Sequence, residues 1–258
     1  VAVMGKPADV AALSASAALA IAIAAAIFGH GQGGGLPVSG WFSWHPVLMT
    51  MAFPGLMSIG RLSYVADSSW PGLESKENRR KIHRIIMSLS VLAMLGGYLC
   101  IFKAHWPAQK FFGYDFKKGE WAAFARVAHA WIGYAAIALS LYQAGTGMAK
   151  MSALSQGQRV FTNHGTVGKC IMGTGLAAVL LATYFWAWST STKVAVAGLS
   201  VAAVSSSFLL STPDSKDLRE RNPPDTQIQP SVVGSSTEEE ERQPIIPSAE
   251  EGQPIMQS

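Results

Sequence analysis

Six stretches of this chain, near 9–29, 44–66, 83–103, 125–147, 166–188 and 191–211, carry Lys, Arg, Asp or Glu only near their ends. Each is about as long as a helix must be to cross a hydrocarbon core roughly 30 Å thick. With 49% hydrophobic and 14% charged residues overall, the charge is left to short clusters and a polar tail, which suits soluble domains badly and a membrane bundle well. In lipid the backbone must satisfy its own hydrogen bonds, so runs of this length can only be helices. The sequence therefore predicts an all-α fold, a six-helix transmembrane bundle spanning 1–211.

The first run is Ala-rich and sits behind Lys6, a layout shared with secretory signal segments. Its length, and the lack of a clear small-x-small cleavage pattern ahead of a soluble domain, read as a spanning helix instead. The sixth run opens with Lys193, contains several serines and is the least apolar. From 212–258 Pro, Ser, Gln and Glu dominate with no apolar period, so a disordered cytosolic tail is expected, its EEEE run a solubilising patch. Cys100 and Cys170 fall near opposite ends of their helices and read as small packing residues rather than a disulfide or metal pair.

Basic residues in short loops set orientation. Between the second and third runs, ESKENRRKIHR packs Lys76, Arg79, Arg80, Lys81 and Arg84 together, which assigns that loop to the cytosol. The N-terminus, the loop carrying Lys150 and Arg159, and the tail then share that side. The opposite loop, KAHWPAQKFFGYDFKKGEW, is also basic through Lys103, Lys110, Lys117 and Lys118, which blurs the asymmetry.

Of six histidines, four occupy matching places. His45, next to Pro46, opens the second run, His83 opens the third, His129 lies in the first turns of the fourth, and His164 opens the fifth. Alternate helices run in opposite directions, so His45 and His129 lie toward one membrane face, and His83 and His164 toward the other. A single histidine near a helix end is ordinarily an interfacial residue. Four at equivalent depths on consecutive helices point to a site, since a charged side chain at mid-membrane costs about 2.5–3.5 kcal/mol. Neutral imidazole is a common axial ligand of iron, and two from facing helices complete a six-coordinate haem. Zinc competes for histidine, but it takes four protein ligands, or three and a water, and neither pair brings an obvious carboxylate or thiolate. Haem fits the count better. Gly133 after His129, Gly165 and Gly168 after His164, and Gly96 and Gly97 on the third helix would let a flat macrocycle approach the backbone, although close helix packing explains such glycines equally well.

Taken together, FSWHPVLM at the start of the second helix, K-x-H at the start of the third and single histidines early in the fourth and fifth resemble the cytochrome b561 family of transmembrane ascorbate-linked oxidoreductases. The likeness covers roughly 41–188 and is nearest to the branch described as cytochrome b561 domain-containing proteins. It implies a multi-pass membrane protein holding two haem b groups between helices two to five. His45 and His129 would ligate the haem on the non-cytosolic side, His83 and His164 the cytosolic one. The implied activity passes electrons from cytosolic ascorbate through both haems to monodehydroascorbate or ferric iron on the opposite face.

Ascorbate is an anion at neutral pH, so its site needs fixed cations. Lys81, two positions before His83, resembles the family's ascorbate lysine, and Arg159 would complete an anion clamp from the other cytosolic loop. The RRK cluster is explained almost as well as a plain orientation signal. The stretch GRLSYVAD keeps an Arg and a Tyr, Arg61 and Tyr64, but departs from the family's order, which puts its part in ascorbate binding in doubt. On the opposite face His105, after Lys103, is a candidate for ferric chelate or the ascorbyl radical, or a surface histidine without a role. His30, in GHGQGGG, reads as a bystander. Membrane lipid, and a second copy of the chain, are the remaining expected partners; nucleic acid is not. Whether the membrane is an internal one or the cell surface is open. The competing reading is a haem-free transporter or scaffold whose histidines bind protons or metal ions, and a further one keeps the haems for sensing or quinol oxidation.

Overall fold

The structure is a computed structural model that describes residues 7–65, 72–73, 75–158 and 160–210. The expected tail at 212–258 and Arg159 lie outside the described residues. Helix α1 runs Pro7–Phe28, α2 Trp41–Thr50, α3 Ser58–Val65, α4 Lys76–His105, α5 Phe124–Ser155, α6 His164–Phe185 and α7 Thr190–Ser205. Helices α2 and α3 are one rod interrupted by a π-helical stretch, Met51–Met57. Five helices are each long and apolar enough to cross a membrane, and the interrupted α2–α3 rod is the sixth. The chain is an integral, multi-pass membrane protein, and the six expected runs map onto these elements. The largest boundary shifts are in α5, which runs on to Ser155 rather than ending near 147, and in α4, which begins at Lys76 rather than near 83, so the basic cluster forms its first turns.

The π-helical interruption follows from Pro54. A proline inside a helix lacks the N–H its turn requires and crowds the preceding carbonyls, and a local widening of the helix relieves both. The Ser90 hydroxyl on α4 donates to the Ala52 carbonyl at 3.0 Å, so part of what the widening frees is satisfied by a neighbouring helix. The π turns also add about one residue to the rod, which matters for the site below.

Three antiparallel pairs carry most of the packing: α1 with α7, α2–α3 with α4, and α5 with α6. Consecutive helices α4 and α5 touch each other little, so the second and third pairs face one another across the middle of the bundle. There the core is built from Phe53, Met57, Met94, Ala136, Ile171 and Met172. A second cluster of Leu19, Ile23, Ile27, Val47, Trp188 and Val196 seals α1 and α7 against α2. The α1–α2 connection docks on the α6–α7 turn, where Trp186 Nε1 donates to the Gly33 carbonyl at 2.9 Å. Gly33 is required there: its φ is +73°, and a β-carbon would lie 2.7 Å from the Ala187 carbonyl carbon. His30, in the same segment, is exposed.

An all-α class leaves out one feature. The α4–α5 connection folds as a three-stranded antiparallel meander of two-residue strands, Lys110–Phe111, Tyr114–Asp115 and Glu120–Trp121. Its turn is organised by Asp115, whose Oδ1 accepts from the backbone N–H groups of Lys117 and Lys118 at 3.1 Å and whose Oδ2 pairs with Lys110 Nζ at 3.4 Å. Desolvation pushes this carboxyl up, but the Lys118 N–H, the Lys110 ammonium and the Lys117 N–H outweigh it and hold the carboxyl below its ordinary value. A depressed carboxyl stabilises the fold above its unfolded pKa, and that contribution is lost as pH falls through the folded value. Acidification is therefore expected to loosen the meander, read from the Trp121 fluorescence that reports its packing on Tyr114. Asp115→Ala is expected to give the loosened signal already at neutral pH.

Candidate functional site: four histidines at two levels

Helix α2 starts at Trp41 behind an extended Gly40, which sets His45 in its second turn. His129 stands in the second turn of α5. The two rings face each other with centroids 6.2 Å apart and planes at 85°. That separation would leave room for one metal ion held between a nitrogen of each ring. His45 Nδ1 lies 3.0 Å from the Gly97 carbonyl on α4, and His129 Nδ1 lies 2.9 Å from the Ala178 carbonyl on α6. A carbonyl oxygen can only accept, so Nδ1 carries the proton in both rings. In the neutral imidazole that leaves Nε2 with its lone pair, the tautomer a metal takes.

His83 and His164 form the other level. His83 sits two turns into α4, its Nδ1 2.8 Å from the Gly60 carbonyl on α3, and the Tyr64 ring packs edge-on against it at 4.7 Å. His164 is the first residue of α6 and lies within electrostatic reach of His83 and Lys150. Its Nδ1 is buried with no partner among the described residues, while its main-chain carbonyl accepts from Gln143 Nε2 at 2.6 Å. Along α4, His83 and Gly97 are fourteen residues apart, so the two levels are separated by roughly 21 Å of helix axis.

The other expected site residues are placed as follows. Lys81 is exposed in the first turns of α4, at the His83 level. His105 ends α4 at the opposite level, its ring stacked on Phe42 at 6.3 Å, with Lys103 over the Trp41 ring at 4.6 Å. Arg61 does not reach toward Lys81: its guanidinium donates to the Ser207 carbonyl and lies over the Phe208 ring at 4.5 Å, tying α3 to the residues just after α7. Arg79, read from sequence as one more basic surface residue, is buried, its Nε donating to the Leu73 carbonyl at 2.6 Å. Cys100 and Cys170 are unpaired, the first buried and the second exposed.

Sequence reading missed the partners of the histidines. Gly60, Gly97 and Ala178 act through their main-chain carbonyls, and the only signal they leave is small size. Gly97 illustrates this, since a β-carbon there would lie 3.2 Å from Leu48 Cβ and 3.2 Å from Met49 Cγ. The glycine lets α2 and α4 close until His45 reaches the carbonyl. Gly133 and Gly165 face open space, where a β-carbon would meet nothing within 4 Å.

These features define a class: a helical multi-pass membrane protein that gathers paired, tautomer-fixed imidazoles between its helices. The family described as eukaryotic cytochrome b561 matches residues 44–190, more than half of the chain. The chain belongs to the cytochrome b561 family, whose members bind haem b. Over 61 residues it is 39% identical to the human protein named transmembrane reductase CYB561D2, and 39% identical over 61 residues to its bovine counterpart. Each alignment covers 24% of this chain and 28% of the relative, so the chain spans little more than a quarter of the length of the curated relatives it matches. No solved structure matches it significantly.

The residues fit the family's group. With Nδ1 of both rings committed to carbonyls and the ring centroids 6.2 Å apart, His45 and His129 could hold one haem through Nε2, and the sparse α4–α5 contact leaves the neighbouring pairs of helices free to flank a flat ring. Among the described residues no three His, Cys, Asp or Glu side chains come together as a metal-binding group, so a zinc centre has no candidate there.

Proposed function

We propose that the chain is a transmembrane ascorbate-dependent reductase, moving electrons from cytosolic ascorbate through two b haems to monodehydroascorbate or a ferric chelate on the opposite face. The observation that carries this reading is the His45–His129 pair, two rings 6.2 Å apart, each with Nδ1 committed to a carbonyl of a neighbouring helix. His83 and His164 would hold the second haem, on the cytosolic side. When bound, the haems supply the one-electron chemistry.

The protein's own residues do the rest. Carbonyls on rigid helices fix ring orientation and basicity at three of the four histidines, so little reorganisation accompanies a change of charge at the centre. The Tyr64 ring against His83 and the apolar core between the levels keep water from the path. Lys81, with Arg159, offers cations to the ascorbate anion beside the cytosolic level. His105 and Lys103 serve the acceptor at the other.

The deciding experiment is an optical spectrum of the purified protein before and after ascorbate, with haem quantified against protein. A sharp reduced b-type band with about two haems per chain supports the proposal. A featureless spectrum from protein expressed with ample haem overturns it and returns the histidines to proton or metal-ion transport. Within the proposal, Lys81→Ala is expected to raise the ascorbate concentration for half-reduction by up to about fivefold, since an exposed ion pair contributes up to about 1 kcal/mol. Reduction by dithionite, which needs no site, should be unchanged.

A further inference from the structure

Three of the four helical rods in the two facing pairs carry a histidine at one level and, at the second level, a main-chain carbonyl that partners another helix's histidine. On α4 these are His83 and Gly97, fourteen residues apart, and on α6 His164 and Ala178, again fourteen. On the α2–α3 rod they are His45 and Gly60, fifteen apart, the extra residue matching the one its π turns absorb. Fourteen residues are just under four helical turns, so histidine and partner share a face. On α5, fourteen residues after His129, the position is Gln143.

In the first three positions the residue is Gly or Ala, small enough for an imidazole to reach the main-chain carbonyl. Gln143 has a long side chain, and its own carbonyl accepts from Thr146 Oγ1 at 3.1 Å. Its amide is oriented by chemistry: Nε2 donates to the His164 carbonyl at 2.6 Å, which leaves Oε1 as the free end. Among the described residues both Gln143 Oε1 and His164 Nδ1 are buried without a partner, one an acceptor and the other the ring nitrogen that donates in the remaining three histidines. Gly147, one turn further on, makes room, since a β-carbon there would lie 3.3 Å from His164 Cε1.

We propose that Gln143 is the positioning residue of His164, its Oε1 taking the Nδ1 proton in the role that the Gly97, Gly60 and Ala178 carbonyls play for the other three histidines. The inference rests on the reading of His164 as an axial ligand. A side-chain amide is a weaker and more movable acceptor than a helix carbonyl, so the haem at this level is tuned separately from its partner. Without an acceptor at Nδ1 the imidazole is a poorer donor to ferric iron, and the reduction potential of that haem rises. With a carboxylate there it falls.

The test is redox titration with low-temperature electron paramagnetic resonance on the purified holoprotein and its Gln143→Leu and Gln143→Glu variants. The haem concerned is identified as the one that His164→Ala removes. Gln143→Leu is neutral, so it changes no charge near the iron, and it should shift that haem's midpoint positive and move its low-spin g-values. Gln143→Glu should shift the midpoint negative, and the other haem should stay put in both. Should Gln143→Leu lose its haem, the sign of the shift and the g-values in Gln143→Glu decide alone. Unchanged midpoints and g-values, or equal shifts at both haems, would overturn the proposal. A wild-type protein without b haem would overturn the reductase reading instead, and the two failures are told apart by the spectrum of the unmodified chain.

Discussion

Haem content is expected to fall from about two to about one per chain in His45→Ala, and to fall no further when His129→Ala is added. Under the proposed function both residues would hold one iron, so once one of them is gone the second has little left to lose, the strongest form of non-additivity between residues in one network. His45→Ala with His83→Ala crosses the two levels and should leave almost no haem. Haem extracted and quantified per chain separates the possibilities. Additive losses for His45 and His129, or full haem content in all four single variants, would remove the pairing at the heart of the proposed function. The prediction is sharp because the two rings sit 6.2 Å apart while the levels are separated by roughly 21 Å of helix.

Gly175→Ala should lower stability by about 1–3 kcal/mol, although alanine is the better helix former. The gain from helix propensity is at most about 1 kcal/mol. Against it, a β-carbon at 175 would lie 2.7 Å from Phe53 Cβ and closer still to the ring atoms Cγ and Cδ1. Phe53 Cβ is fixed to the backbone of the π-helical stretch, so no change of rotamer relieves the contact and α6 must move away from the rod. Overpacking of a filled core costs this much when the backbone has to shift. Gly198→Ala on α7 is the control, because a β-carbon there meets nothing within 4 Å. Thermal unfolding in detergent should show a lower Tm for the first variant and an unchanged or slightly higher one for the second. Equal Tm values would mean that Phe53 and Gly175 do not pack as described. Since Phe53 lies on the rod between His45 and Gly60, the displacement should also broaden the haem spectrum at both levels.

Much of this was legible before any coordinates. Charge-free runs of about twenty residues dictate helices in lipid because backbone groups there have no other partner, and the six runs all became helices. Alternation of helix direction alone sorted His45 with His129 and His83 with His164, and the rings of the first pair do meet. The π-helical stretch at Pro54 was not foreseen, since the second run reads as one uninterrupted helix. The meander at 110–121 was not legible, because two-residue strands leave no period to read.

What tertiary structure decided is which atoms the histidines use. Carbonyls of Gly60, Gly97 and Ala178 belong to every residue's backbone and leave no mark in a sequence, so only packing reveals them as partners. The fates of Arg61 and Arg79 were decided in the same way: the sequence places one at the end of the second run and the other in a basic loop, and folding ties the first to the Ser207 carbonyl and buries the second against Leu73. Hydropathy is a local property and determined the spanning helices by itself. Hydrogen-bond partners across helices depend on how closely two backbones approach, and that distance is settled only when the small residues of both are brought face to face.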